Sequence, residues 1–293
     1  MKTYFDCIPC FLKQALATAR FVSSDERIHE GMLRNMLREV SEMDLTMPPP
    51  IMGQRIHRLI RELTTQSDPY YERKQYFNQF ALRLLPRLKR YVDDAADPLE
   101  CAVRLAIAGN IIDFGAAATV EDESVHASIE KSLSADISNA AIELFKQAIN
   151  EAKTILFLGD NAGEIVFDQL LLSQMPLDKV VYVVKGKPII NDATMEDALE
   201  TGLTQMVRVV GNGSDAPGCI LDDCSPIFRE RFASADLIIA KGQANYETLS
   251  HIRKPIFFLL QAKCPVIARD IGCKTGDFIL TGNYDAPVAT NRA

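Results

Sequence analysis

Asp160 and Asn161 stand side by side just after a short apolar run, and Asp192 follows a second one. Two carboxylates and an amide carbonyl are hard oxygen donors, the kind that suits Mg²⁺, Mn²⁺ or a related divalent ion such as Co²⁺ or Ni²⁺. A cation held by so few protein groups keeps positions open for water and for phosphate oxygens. It can polarise a phosphoryl group and lower the pKa of a bound water. Lys241 ends another apolar run and can neutralise phosphate charge that the metal leaves uncovered. Gly242 and Gly186 would let backbone N–H groups approach the same oxygens. Each feature alone has a plainer reading. An Asp-Asn pair after a strand serves as cap and turn, Asn191 or Asp192 can start a helix, and a strand-end lysine can simply be solvated.

The elements that must position these residues change character near residue 150. Before it the pattern is helical: CIPCFLKQALATARFV, GMLRNMLREV and GQRIHRLIRELT space their apolar residues three and four apart. KQYFNQFALRLLPRLKRYVDD continues the theme, with Pro86 expected to kink or break it. Asp97 and Pro98 open another helix as cap and first turn. After residue 150 come five short runs, TILFLG, KVVYVVKG, MVRVVGNG, ADLIIAKG and PIFFLLQA, separated by helical lengths. Continuous apolar strands alternating with helices predict a mainly parallel sheet covered on both faces. The fold class expected is α/β. Residues 1–150 form an all-helical domain and residues 151–293 a Rossmann-like three-layer α/β/α domain. Such sheets bind ligands beyond the carboxyl ends of their strands, which places Asp160, Asn161, Asp192, Lys241, Gly242 and Asn245 along one edge.

A formal net charge of −7 argues against a nucleic-acid partner, because phosphate backbones reward clustered Lys and Arg. No apolar run approaches membrane-spanning length, and Asp6 with two cysteines occupies the place of a signal-peptide core. Seven cysteines, an odd number, do not make a disulfide framework, so a reducing cytoplasm is expected. A nucleotide cofactor is not expected, because GDNAGE lacks the Gly-x-Gly-x-x-Gly spacing and sets a carboxylate where pyrophosphate would sit. Asp160-Asn161-Ala162 lacks the second aspartate of a haloacid-dehalogenase-type phosphatase. Asp113-Phe114-Gly115 matches a kinase string with nothing else of a kinase around it.

GDNAGE at 159–164, NDAT at 191–194 and KGQANYE at 241–247, taken in order, resemble the metal-dependent damage-control phosphatases, the family called domain of unknown function 89. CIPC at 7–10, DPYYERK at 68–74 and AIAGNIIDFG at 106–115 extend the resemblance over most of the chain, and the Cys-x-x-Cys start resembles its archaeal and bacterial subgroup. The resemblance implies a helical N-terminal domain before an α/β/α domain, and hydrolysis of a small phosphorylated metabolite, a sugar phosphate or a damaged cofactor precursor. It places the metal on Asp160, Asn161 and Asp192, and the phosphate-contacting lysine on Lys241. It sets Asn110 and Asp113 in the cleft between domains. Larger eukaryotic relatives have Asp where this chain has Gln243, which bears on substrate choice and leaves the metal site unaffected.

Read as residues, Asn110 and Asp113 lie three apart on one helix face, as a cleft pair or a helix-end hydrogen-bond pair. Glu164, four before Asp168, is a supporting group or general base for the site, or a solvated first-turn glutamate. Cys7 and Cys10 suit a soft metal, a redox pair or plain helix-face thiols. The alternative to an enzyme is a non-catalytic metal- or ligand-binding protein on the same fold.

Overall fold

The computed structural model describes residues 1–109 and 129–283. Three helices open the chain: α1 (Cys7–Val22), α2 (Glu26–Glu42) and α3 (Pro50–Thr64). Their apolar stripes close on Phe11, Ala15, Met32, Met36, Ile56 and Ile60, a small core of their own. Next come α4 (Tyr71–Asp93), α5 (Pro98–Ala108) and α6 (Asn139–Glu151). Asp97 caps α5 by accepting from Glu100 N, with Pro98 in the first turn where its missing N–H costs nothing. Pro86 does not break α4, which runs on to Asp93 with the ring exposed. An exposed proline forfeits one backbone bond to the preceding turn, and packing on either side of it carries the helix through.

The sheet is built from β1 (Ile155–Leu158), β2 (Val180–Val184), β3 (Arg208–Gly211), β4 (Leu237–Lys241), β5 (Ile256–Gln261) and β6 (Phe278–Gly282). Its order is β3-β2-β1-β4-β5-β6. The five expected strands pair in parallel, and β6 joins β5 antiparallel. The remaining helices are α7 (Glu164–Leu172), α8 (Met195–Glu200), α9 (Leu203–Met206), α10 (Pro226–Ser234), α11 (Gln243–Leu249) and α12 (Pro265–Ile271).

Strand side chains alternate between faces, and the two faces feed two cores. Ile155, Phe157, Tyr182, Ile239 and Leu259 point to the side covered by α4, α5, α6 and α7. Leu156, Leu158, Val183, Ile238 and Phe258 point to the side covered by α10, α11 and α12. The molecule is therefore a mixed α/β fold with a three-layer sandwich at its centre. The first of these cores crosses residue 150: Phe80, Leu88, Leu105 and Phe145 share it with the sheet. Among the described residues, no helix is long and apolar enough to cross a membrane.

Candidate active site

Strand order reverses between β1 and β4, and the segments leaving their carboxyl ends diverge there to open a crevice. Asp160 and Asn161 leave β1 at this point. Backbone pairing brings the Asp192 segment against them. Asn161 and Asp192 form an antiparallel bridge, Ala193 N donates to Asp160 O at 2.8 Å, and Ala162 N to Asn191 O at 2.8 Å. Ile190 sits in the left-handed region at φ 46°, unusual for a β-branched residue, at the bend that turns the segment back. The three residues expected to hold a metal are thus assembled by main-chain bonds. None caps a helix with its side chain: the N-cap of α7 is Gly163, and α8 is capped by Thr194, whose box with Asp197 displaces Asn191 and Asp192 from that role.

The side chains converge out of water, with Asp160 8 %, Asp192 4 % and Glu164 1 % exposed. Asn161 Nδ2 donates to Asp160 Oδ2 at 3.2 Å and to Glu164 Oε1 at 2.5 Å. Both amide hydrogens are taken by carboxylates, so Oδ1 is the atom Asn161 can offer a cation. Glu164 is accordingly not a solvated first-turn residue but part of the cluster. Two buried oxygens, Glu164 Oε2 and Asp192 Oδ2, have no hydrogen-bond partner. Lys185 Nζ lies 3.3 Å from Asp192 Oδ2, an ion-pair distance without hydrogen-bond alignment. Burial, reinforced by Asp160, pushes the Glu164 carboxyl up to about 8. Burial and Asp160 likewise raise Asp192 to about 7, against the pull of Lys185. Like charges gathered out of water raise one another's pKa unless a cation joins them. Among the described residues no three His, Cys, Asp or Glu side chains form a group that could hold a metal ion.

Lys241 is not a solvated strand-end residue. It is fully buried, donates to Asp168 Oδ1 at 2.6 Å and lies 3.7 Å from Glu164 Oε2. Burial alone would discharge it, and Asp168 and Glu164 outweigh that, holding the ammonium above its ordinary range. Tyr182 O–H donates to the other oxygen of Asp168 at 2.6 Å, so the inner wall is a Tyr182–Asp168–Lys241 chain. Gly242 adopts φ 81°, and a Cβ there would overlap the Asp160 carboxylate. Its N–H goes to Leu259 O at 2.9 Å, so it gives room rather than a donor. Gly186 also has its N–H engaged, by Ser214 O at 3.1 Å and Asn212 Oδ1 at 2.9 Å. Asn245 Nδ2 donates to Lys241 O at 2.8 Å and Gly159 O at 3.4 Å, tying β4 to β1. Asn110 and Asp113 lie outside the described residues.

Four residues at the site were assigned no role from sequence. Asp168 and Tyr182 hold Lys241, and Lys185 faces Asp192 while donating to Gly218 O. Asn78 on α4 accepts from Gly163 N at 2.8 Å and donates to Asp197 and Glu200, pinning the loop after β1. Lys185 had a signal in its place after a strand end and Asn78 in the helix that DPYYERK opens, whereas Asp168, mid-helix, and Tyr182, mid-strand, had none.

A family profile described as the damage-control phosphatase ARMT1-like domain matches residues 3–279. The chain belongs to this family. It is similar to a damage-control phosphatase of Archaeoglobus fulgidus, 36 % identical over 93 % of this chain and 96 % of that one. It is also similar to a damage-control phosphatase of Pyrococcus horikoshii, 34 % identical over 97 % and 99 %. An uncharacterized protein of Methanocaldococcus jannaschii is 37 % identical over 94 % and 93 %. A crystal structure of a DUF89 family protein from Pyrococcus horikoshii superposes with a TM-score of 0.87 at 33 % identity, covering 97 % of this chain and all of that one. The ARMT1-like match begins before α1 and ends within β6, so the family unit takes in the opening helices as well as the sheet.

Proposed function

We propose that the protein is a metal-dependent phosphatase acting on a small phosphorylated metabolite in metabolite repair. The reading rests on family membership and above all on the buried cluster of Asp160, Asp192 and Glu164 with two orphaned carboxylate oxygens. Buried carboxylate oxygens that face a lysine but accept no hydrogen bond are costly, and a divalent cation is a partner that hard oxygens at this spot would take. Asp160, Asn161 through Oδ1, and Asp192 would hold it. Bound there, the ion would supply Lewis-acid polarisation of the phosphoryl group and a more acidic water.

The chain's own groups prepare the rest. Glu164 fixes the Asn161 amide so that Oδ1 is presented. Asp168 and Tyr182 hold Lys241 in its charged form at the inner wall, and Lys185 sets a second cation beside Asp192. Fixed positive charges in a water-poor cleft favour a phosphate dianion and the charge that builds on it during transfer. Gly242 leaves space at the Asp160 carboxylate.

The test is hydrolysis of para-nitrophenyl phosphate and a panel of sugar phosphates by EDTA-stripped protein, with Mg²⁺, Mn²⁺, Co²⁺ or Ni²⁺ restored, beside Asp160→Ala and Asp192→Ala. Turnover that needs metal and disappears in both variants supports the reading. Folded protein that binds metal and turns over none of these esters would favour the non-catalytic binding protein instead.

A further inference from the structure

A cavity of about 760 Å³ opens beside the catalytic edge. It starts with Gln243 and Ala244, just past Gly242, and includes Ile190, two residues before Asp192. Its other walls come from the start of α1, the start of α3 and the start of α12. Most of the surface is apolar: Phe11, Pro49, Ile190, Pro217 and Val266 face into it. Three thiols, Cys7, Cys10 and Cys264, add soft, weakly hydrogen-bonding surface. The polar groups are few and partly committed. Gln243 Nε2 donates to Glu247 Oε1 at 2.9 Å, and Asp6 and Arg269, paired at 3.2 Å on exposed side chains, stand at the rim.

We infer that this cavity receives the alcohol portion of the substrate, and that it selects phosphomonoesters whose alcohol carries a ring or extended apolar segment over compact sugar phosphates. The inference rests on the phosphatase reading above and adds the substrate class. Glu247 in the cavity wall is close enough to feel the Asp160 charge, and Gln243 follows Gly242 directly, so the alcohol of an ester whose phosphoryl group sits at Asp160, Asp192 and Lys241 has this cavity beside it. Its volume falls within the roughly 300–1,000 Å³ of pockets that enclose drug-sized ligands. A hexose would leave much of it unfilled. The sugar's hydroxyls would also be stripped of water against proline, valine, phenylalanine and thiol surface without enough partners, which disfavours binding. A ring with one or two polar edges matches the walls, with Gln243 and Glu247 placed to meet those edges.

The test compares kcat/KM for benzyl phosphate and adenosine 5′-monophosphate with that for glycerol 3-phosphate and glucose 6-phosphate, using metal-restored enzyme. All four leave as alkoxides of similar basicity, so intrinsic reactivity does not set the order. At least one ring-bearing ester should exceed both polar ones by about tenfold or more, the scale of a few well-packed carbons in an apolar pocket. Val266→Trp, which fills part of the cavity, should bring the kcat/KM ratio of the ring-bearing esters over glycerol 3-phosphate down towards one, whatever it does to the absolute rates. A polar ester turned over within about tenfold of the better ring-bearing one would overturn the inference.

If no ester is hydrolysed with any metal, the phosphatase reading fails first, and the cavity is then tested alone. Alkylation of Cys10 and Cys264 by N-ethylmaleimide, followed by mass spectrometry, should slow when adenosine or benzyl alcohol is present. Cys273, which does not line the cavity, should react at an unchanged rate. Protection of the two lining thiols by neither alcohol would end the inference in that case.

Discussion

Gly242 combines a left-handed backbone with the closest approach to the Asp160 carboxylate, so an alanine there meets two obstacles at once. Gly242→Ala is expected to lower kcat/KM by about tenfold or more, through displacement of the Asp160 carboxylate by even a fraction of an ångström. It should also cost about 1–3 kcal/mol of stability, because φ 81° with ψ 166° is a region essentially reserved for glycine. Steady-state kinetics beside thermal melting separates the two effects. Asp192 and Glu164 make a second expectation. Their carboxyls are held at about 7 and about 8 in the metal-free fold, against 3.8 and 4.5 as ordinary values. The folded chain therefore keeps protons that the unfolded chain releases. Stability from these groups is full below the ordinary values and declines as pH rises through the raised ones. A divalent cation needs the deprotonated carboxylates, so the rise in Tm on adding Mn²⁺ should be larger at pH 8 than at pH 6. In Asp192→Asn that gain should largely vanish, and the metal-free variant should melt higher than the parent at pH 8. An equal gain at both pH values would contradict this account. That Asp160, Asn161 and Asp192 would meet at one sheet edge was legible, because segments leaving the carboxyl ends of neighbouring strands converge by topology. Asp168 and Tyr182 were not, because the partner of a buried lysine is fixed by distances between elements that no local spacing encodes. The N–H groups of Gly186 and Gly242 were misassigned for the same reason: both are consumed by neighbouring backbone or side-chain acceptors.

At the scale of elements, α4 both shapes the core and steadies the site. Asn78→Ala removes an acceptor from Gly163 N and donors to Asp197 and Glu200. It should destabilise by about 1–3 kcal/mol through the buried groups left unpaired. It should also weaken metal binding measured by calorimetry, because the loop after β1 loses its tether. Pro86 lies exposed in the same helix, where alanine would restore a backbone bond. Pro86→Ala is expected to raise stability by about 1–3 kcal/mol in chemical denaturation, with activity unchanged. The helix was legible from its apolar spacing, and its passage through Pro86 was not, since tertiary packing outweighs one local penalty. The five parallel strands were legible as continuous apolar runs. β6 escaped because an edge strand alternates buried and part-exposed residues and includes Thr281 and Gly282, which weakens the run.

At the scale of the molecule, the change of rhythm at residue 150 marks where the sheet begins, while one of the two main cores spans it. Phe80, Leu88, Leu105 and Phe145 precede every strand among the described residues, yet Phe157, Tyr182, Ile239 and Leu259 cover them only afterwards. A ribosome makes the apolar faces of α4, α5 and α6 before it makes anything to bury them. α1, α2 and α3 can close on one another at once, but the next three helices must wait for six strands, the last of which pairs at the sheet's edge. During that interval the nascent chain carries an uncovered apolar surface that only its own later residues, or a holding chaperone, can shield.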